Sequence, residues 1–189
     1  MAQQTLAVNP ADRTVYGLVS QILHTRPGST PGETVAARRA RKDRETRLWV
    51  HALAEIGPTP AGATWIDVMD RGADAFEVLW ELTDRRRAFV VRSAHNRALG
   101  GGPSDVPADE RLHDAVRAVP AGVTWDLDRD ARPGRPRRTA RLSAAAYRTA
   151  LRPPHVRRGE HPTEPVPVTV VRVWEADPPA GVAPWSGCS

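Results

Sequence analysis

An α/β fold carrying a β-rich addition is predicted by three features of this 189-residue sequence. These are a strand-helix-strand pattern between Trp65 and Val91, a proline- and glycine-free run over residues 33–56, and three strand-like runs beyond residue 98 separated by Arg/Pro-rich loops.

In the first of these, Trp65, Ile66, Val68 and Met69 form a short apolar run that ends on Asp70. A carboxylate therefore stands where a buried strand emerges. Gly72 lets the chain turn, and over residues 72–84 the apolar Phe76, Leu79 and Trp80, flanked by Ala73 and Leu82, recur at helical spacing. Asp74 falls in the first turn of that predicted helix, where the dipole favours a negative charge, and Arg85, Arg86 and Arg87 crowd its end, where it favours cations. Ala88–Val91 is a second strand. A β-α-β crossover makes its strands parallel and almost always right-handed, and it puts Asp70 at the edge where open α/β sheets keep their sites.

Upstream, residues 5–8 and 14–25 alternate well enough around Asn9, Pro10, Ala11 and Asp12 to predict two antiparallel strands joined by a turn. Residues 33–56 read as a long helix with Arg38, Arg39, Arg41, Lys42, Arg44 and Arg47 toward its start and Trp49, Ala52, Leu53 and Ile56 on one face near its end. Downstream, residues 109–118 read as a short helix, and residues 123–127, 138–151 and 166–174 as strands of an all-β insertion. The predicted organisation is an α/β core over residues 1–97, a β-rich insertion subdomain over 98–183 and a divergent polar tail over 184–189.

Composition narrows the function classes. Hydrophobic residues make up 40% and charged residues 26%, with 18 prolines and 14 glycines, as in a loop-rich globular protein. The excess of 27 Lys and Arg over 22 Asp and Glu gives a net charge of +5, which makes a polyanion the first partner to consider. A single cysteine, Cys188, excludes a disulfide framework and points to a reducing compartment. With neither a membrane-length apolar run nor a secretory apolar segment, the expected location is cytoplasmic, without a membrane partner. No nucleotide-binding loop, cysteine nucleophile or metal-ligand spacing of histidines is present.

The string Asp70, Arg71, Gly72, Ala73, Asp74, followed by a helix and then by Phe89, Val90, Val91, Arg92, Ser93, Ala94, His95, Asn96 and Arg97, resembles the segment around the second catalytic aspartate of bacterial DDE transposases of the insertion-sequence-4 type. Gly72 stands where that family usually has glutamate. The run Lys42, Asp43, Arg44, Glu45, Thr46, Arg47, Leu48, Trp49 is similar to a second family segment, and the resemblance extends over residues 5–183, the middle of the family's protein. The resemblance implies a ribonuclease-H-like core, a mixed sheet with flanking helices, and cut-and-paste DNA recombination at transposon ends. It implies Mg²⁺ or Mn²⁺ as cofactor and a homodimer in the intact family.

Within that resemblance Asp70 is the catalytic residue and metal ligand, and Arg92, His95 and Arg97 are the DNA-binding residues. The family's first aspartate and final glutamate find no counterpart here, so the expectation is a truncated middle portion that neither holds the metal stably nor cleaves alone. Two other expectations stand beside it: a non-catalytic DNA-binding remnant and a remnant that does not fold stably. The run Arg129, Arg132, Arg135, Arg137, Arg138 and Arg141, broken by Pro133 and Pro136, is loop-like and serves either as a grip on backbone phosphate or as solvated charge. Trp49, Trp65 and Trp80 read as core rather than base-stacking residues.

Overall fold

The computed structural model describes residues 1–25, 28, 32, 34, 37, 45–100, 110–131, 136–154, 163–181 and the backbone of 186–188. Most of the arginine-rich first half of the predicted long helix, Arg132, Pro133, Arg135 and Trp185 lie outside these residues. The described chain is mixed α/β: strands β1 (Ala2–Val8), β2 (Val15–Leu23), β3 (Ile66–Met69), β4 (Ala88–Val91), β5 (Val123–Arg129), β6 (Arg138–Leu151), β7 (Val166–Glu175) and β8 (Ser186–Cys188), with helices α1 (Glu45–Ile56), α2 (Phe76–Asp84) and α3 (Leu112–Ala118). Two compact units divide it, residues 1–67 with 75–89 and residues 68–74 with 90–189. Residue 97 lies inside the second of them.

In the first unit β1 and β2 form an antiparallel hairpin with Ala2 opposite Leu23 and Val8 opposite Val15. Its turn is fixed by side-chain acceptors: Asn9 Oδ1 takes the Ala11 N–H and Asp12 Oδ1 the Thr14 N–H, at 3.0 and 2.9 Å. Helix α1 packs on β2 and on α2, burying Ala52 and Leu53 with Phe76, Val78, Leu79 and Leu82. Burying each of these larger side chains stabilises the unit by about 1.5 to 3 kcal/mol. The hairpin's other face is apolar yet open, with Leu6 55% and Leu18 50% exposed.

Helix α2 starts later than its periodicity predicts. Residues 71–73 form a 3-10 turn instead of a first α-turn, and Asp74, with ψ 65°, is not helical. Its other end is a Schellman stop: Arg86, at φ 53°, donates its N–H to Thr83 O, and Arg87 donates to Leu82 O. Of the three arginines expected to serve the dipole, Arg85 binds Glu81 at 2.6 Å, while Arg87 turns inward.

Strands β3 and β4 are neighbours in a sheet of two. Arg92 N–H donates to Met69 O at 3.2 Å where both strands finish, so the two run parallel, as the crossover predicts. The single mixed sheet expected of the core is not formed among the described residues, since β1-β2 and β3-β4 are separate ladders.

The second unit is built on an antiparallel sheet in the order β5-β6-β7-β8. Its register sets Trp125 opposite Leu142 and Leu142 opposite Glu175, and Leu151 opposite Val166. Helix α3 packs on β6 and β7. It buries Leu112, Ala115 and Val116, within a core that includes Leu99, Leu151, Val166 and Val170. Strand β8 falls in the tail that the sequence presents as polar and irregular; it pairs with β7 from Arg172 opposite Cys188 to Trp174 opposite Ser186. No described helix is long and apolar enough to cross a membrane.

Candidate functional site

Asp70 follows the last residue of β3 with extended backbone, φ −77° and ψ −177°, and its Oδ1 accepts the Gly72 N–H at 2.7 Å. This is the cap of the 3-10 turn: a short polar side chain bonding two residues on stops the strand and starts the turn. The side chain is exposed, so the second carboxylate oxygen faces water. Gly72 has no positive φ. The departure from the glutamate usual in the resembling family therefore answers to no left-handed backbone.

Four residues on, the second aspartate of the string behaves in the opposite way. Asp74 is only 6% exposed. Its Oδ2 accepts the backbone N–H groups of Ala94 and His95 at 2.6 and 2.9 Å, and its Oδ1 accepts Nε and Nη2 of Arg97 at 2.9 and 2.7 Å. Arg97 Nη2 also donates to the Asp74 carbonyl at 2.5 Å. A buried carboxylate survives only when its lone pairs are filled in this way. The sequence offers a helix-dipole charge at this position; the structure instead gives it the loop that follows β4.

That loop is held from its other side by the start of α3. Ser93 Oγ lies 3.1 Å from His113 Nε2, Asn96 Oδ1 accepts the His113 N–H at 2.8 Å, and Asn96 Nδ2 donates to Asp114 at 3.2 Å. Leu112 N–H closes the set on the Arg97 carbonyl at 2.9 Å. Arg92, Ala94, His95 and Asn96 of the loop are exposed; Asn96 spends its amide on α3, which leaves Arg92 and His95 as the polar side chains turned to solvent. Arg92 stands beside the end of β3 through its bond to Met69, and so at the same edge as Asp70.

The three residues expected on DNA thus divide: Arg92 and His95 face solvent, while Arg97 is drawn inward onto Asp74 with its side chain 14% exposed. The arginine run divides as well. Arg138 makes a two-pronged pair with the buried Glu175, which holds its guanidinium even more firmly protonated than usual. Glu175 also relieves the like charge of Arg129, which sits directly opposite Arg138 in the ladder. Arg137 and Arg141 are exposed, and Asp126 approaches Arg141 only to 3.9 Å. Trp49, Trp65 and Trp80 are half-buried.

As for a metal, no group of three His, Cys, Asp or Glu suited to one occurs among the described residues. The carboxylates nearest Asp70 in sequence are both committed elsewhere, Asp74 to Arg97 and Asp67 to Arg87 at 2.6 Å. Mg²⁺ takes oxygen ligands, and a pair of ions about 3.5 to 4 Å apart needs several carboxylates. Asp70 can offer one oxygen. The residues present do not fit a two-ion centre.

Sequence reasoning found the Asp70 turn and the strand exit but missed the Asp74 clamp and the Ser93–His113 contact. Their partners are about twenty residues apart and share no periodicity. No protein-family model matches the sequence, and no curated protein matches it.

Proposed function

We propose that the chain is part of the DNA-handling core of a DDE transposase of ribonuclease-H-like type, acting in the cytoplasm on transposon ends. The observation that carries this reading is the shared edge at the ends of β3 and β4, where an exposed carboxylate, Asp70, stands beside an exposed arginine, Arg92. In the intact family's site Asp70 would supply one ligand to Mg²⁺ or Mn²⁺, an ion this chain alone does not hold, and Arg92 and His95 contact backbone phosphate. One carboxylate fixes neither of two ions, so the chain alone binds DNA without cutting it.

Salt dependence is the test. Each phosphate neutralised contributes about −0.9 to the slope of log K against log salt, so roughly three to six contacts give a slope of about −3 to −5 in anisotropy titrations of a labelled duplex. A slope near zero refutes the reading. A second reading, a DNA-binding module without catalysis in any assembly, is favoured by the capture of Asp67 and Asp74 in arginine pairs. The two differ in whether Asp70 is needed for cleavage once the partners of the intact family, including a second copy, are supplied.

A further inference from the structure

Asp74 makes no contact that a ligand would need, yet it receives four hydrogen bonds from the loop bearing the exposed Arg92 and His95. We infer that Asp74 is a positioning residue: it sets the loop of residues 92–97 so that Arg92 and His95 face a nucleic-acid backbone together. The inference rests on the DNA-binding reading above and goes beyond it by assigning a role to a buried residue.

Three observations converge on it. The N–H groups of Ala94 and His95 point at one carboxylate oxygen, which fixes the backbone of consecutive residues and hence the direction in which the His95 side chain leaves. Arg97 closes the loop onto the other oxygen with two prongs, so the segment is pinned at both ends of its turn. On the far side Asn96 and Ser93 tie the same residues to α3. Asp74 and α3 hold residues 93–97, Arg92 enters the same loop tied by its N–H to Met69, and Arg92 and His95 are its exposed polar side chains that are not spent on α3. A loop preorganised in this way does not lose its backbone ordering entropy on binding, and only the exposed side chains are left to be ordered.

The same geometry removes Arg97 from the grip. Its guanidinium satisfies Asp74, and a phosphate could gain it only by leaving a buried carboxylate without its cation.

The test is a comparison of two aspartates in like settings. Asp67→Asn and Asp74→Asn each remove one charge from a buried arginine pair, and both lower the melting temperature. The salt slope for a fluorescein-labelled duplex of mixed sequence is then measured with and without Arg92→Ala in each background. With native Asp74, and equally with Asp67→Asn, Arg92→Ala lowers the slope by about 0.9, one phosphate contact. With Asp74→Asn, Arg92→Ala changes it by less than half as much, and amide exchange at Ala94 and His95 speeds up. An equal loss of about 0.9 in all three backgrounds overturns the positioning role and leaves the DNA-binding reading standing. A slope near zero in the unsubstituted protein overturns the DNA-binding reading itself.

Discussion

Arg87 reaches Asp67 with two prongs, Nε to Oδ2 at 2.6 Å and Nη2 to Oδ1 at 3.0 Å, while its Nη1 caps the Gly57 carbonyl at 2.6 Å and the Trp65 ring lies 5.5 Å from its centre. Both side chains are nearly inaccessible, at 4% and 9%. Removing one partner of such a pair strands the other charge, at a cost of about 3 to 5 kcal/mol. Arg87→Ala is therefore expected to lower the unfolding free energy by that amount in urea titrations. Replacing both residues with apolar ones of similar volume should recover most of it; a loss under about 1 kcal/mol for the single substitution would show that the pair is not desolvated as described.

Arg92 and Arg97 should part company on two assays. Arg92 is exposed and tied only through its backbone, so Arg92→Ala should leave the melt unchanged and reduce the DNA salt slope by about 0.9. Arg97→Ala strands Asp74 and should destabilise by about 3 kcal/mol, but because Asp74 keeps the N–H groups of Ala94 and His95 it should reduce the slope measured below the melt by less than Arg92→Ala does. Reversed behaviour would mean that Arg97 leaves Asp74 when DNA arrives.

With Mg²⁺ or Mn²⁺ the purified chain is expected to leave supercoiled DNA intact. Asp70→Asn should change neither that outcome nor, by more than about 0.5 kcal/mol, the stability, because asparagine caps a turn about as well as aspartate. Asp70→Ala, which loses the bond to Gly72 N–H, should cost about 1 kcal/mol. Nicking that vanishes with Asp70→Asn would show that further carboxylates complete a metal site.

The hairpin turn should titrate. Hydrogen bonds from Thr14 to the Asp12 carboxylate hold its pKa below the ordinary 3.8. A folded-state value below the unfolded one means that the contribution is complete above the ordinary carboxylate range and fades as pH falls through the lowered value. A carboxyl NMR titration should place the Asp12 midpoint below 3.8, and Asp12→Asn should make the turn's acid sensitivity disappear. A midpoint at or above that value would mean that the turn is open in solution.

Elements whose signal is local were legible in the sequence. The β4 and β6 spans agree with the structure at both ends, and β5 and β7 start where predicted, because each is an alternating or apolar run bounded by turn residues. The start of α2 was misjudged because Ala73 and Phe76 fit a helical period, whereas Asp74 is pulled out of that path by Arg97, twenty-three residues away. Strand β8 has no apolar pattern and exists through the ladder it makes with β7. Of the candidate site, Asp70 and the strand exit beside it were readable from spacing. The fates of Arg97 and Arg138 were not, since an arginine in a sequence looks the same whether it meets water, Asp74 or Glu175.

The Schellman stop of α2 leaves an engineering reserve in the chain. Arg86 occupies the left-handed position that glycine fills without strain, at about 1 kcal/mol for a side chain, and the turn it makes is what carries Arg87 to Asp67. Arg86→Gly would relax that strain while keeping both bonds of the stop, so a single codon change offers thermal headroom against which weakened variants of the loop beyond β4 could be expressed and compared.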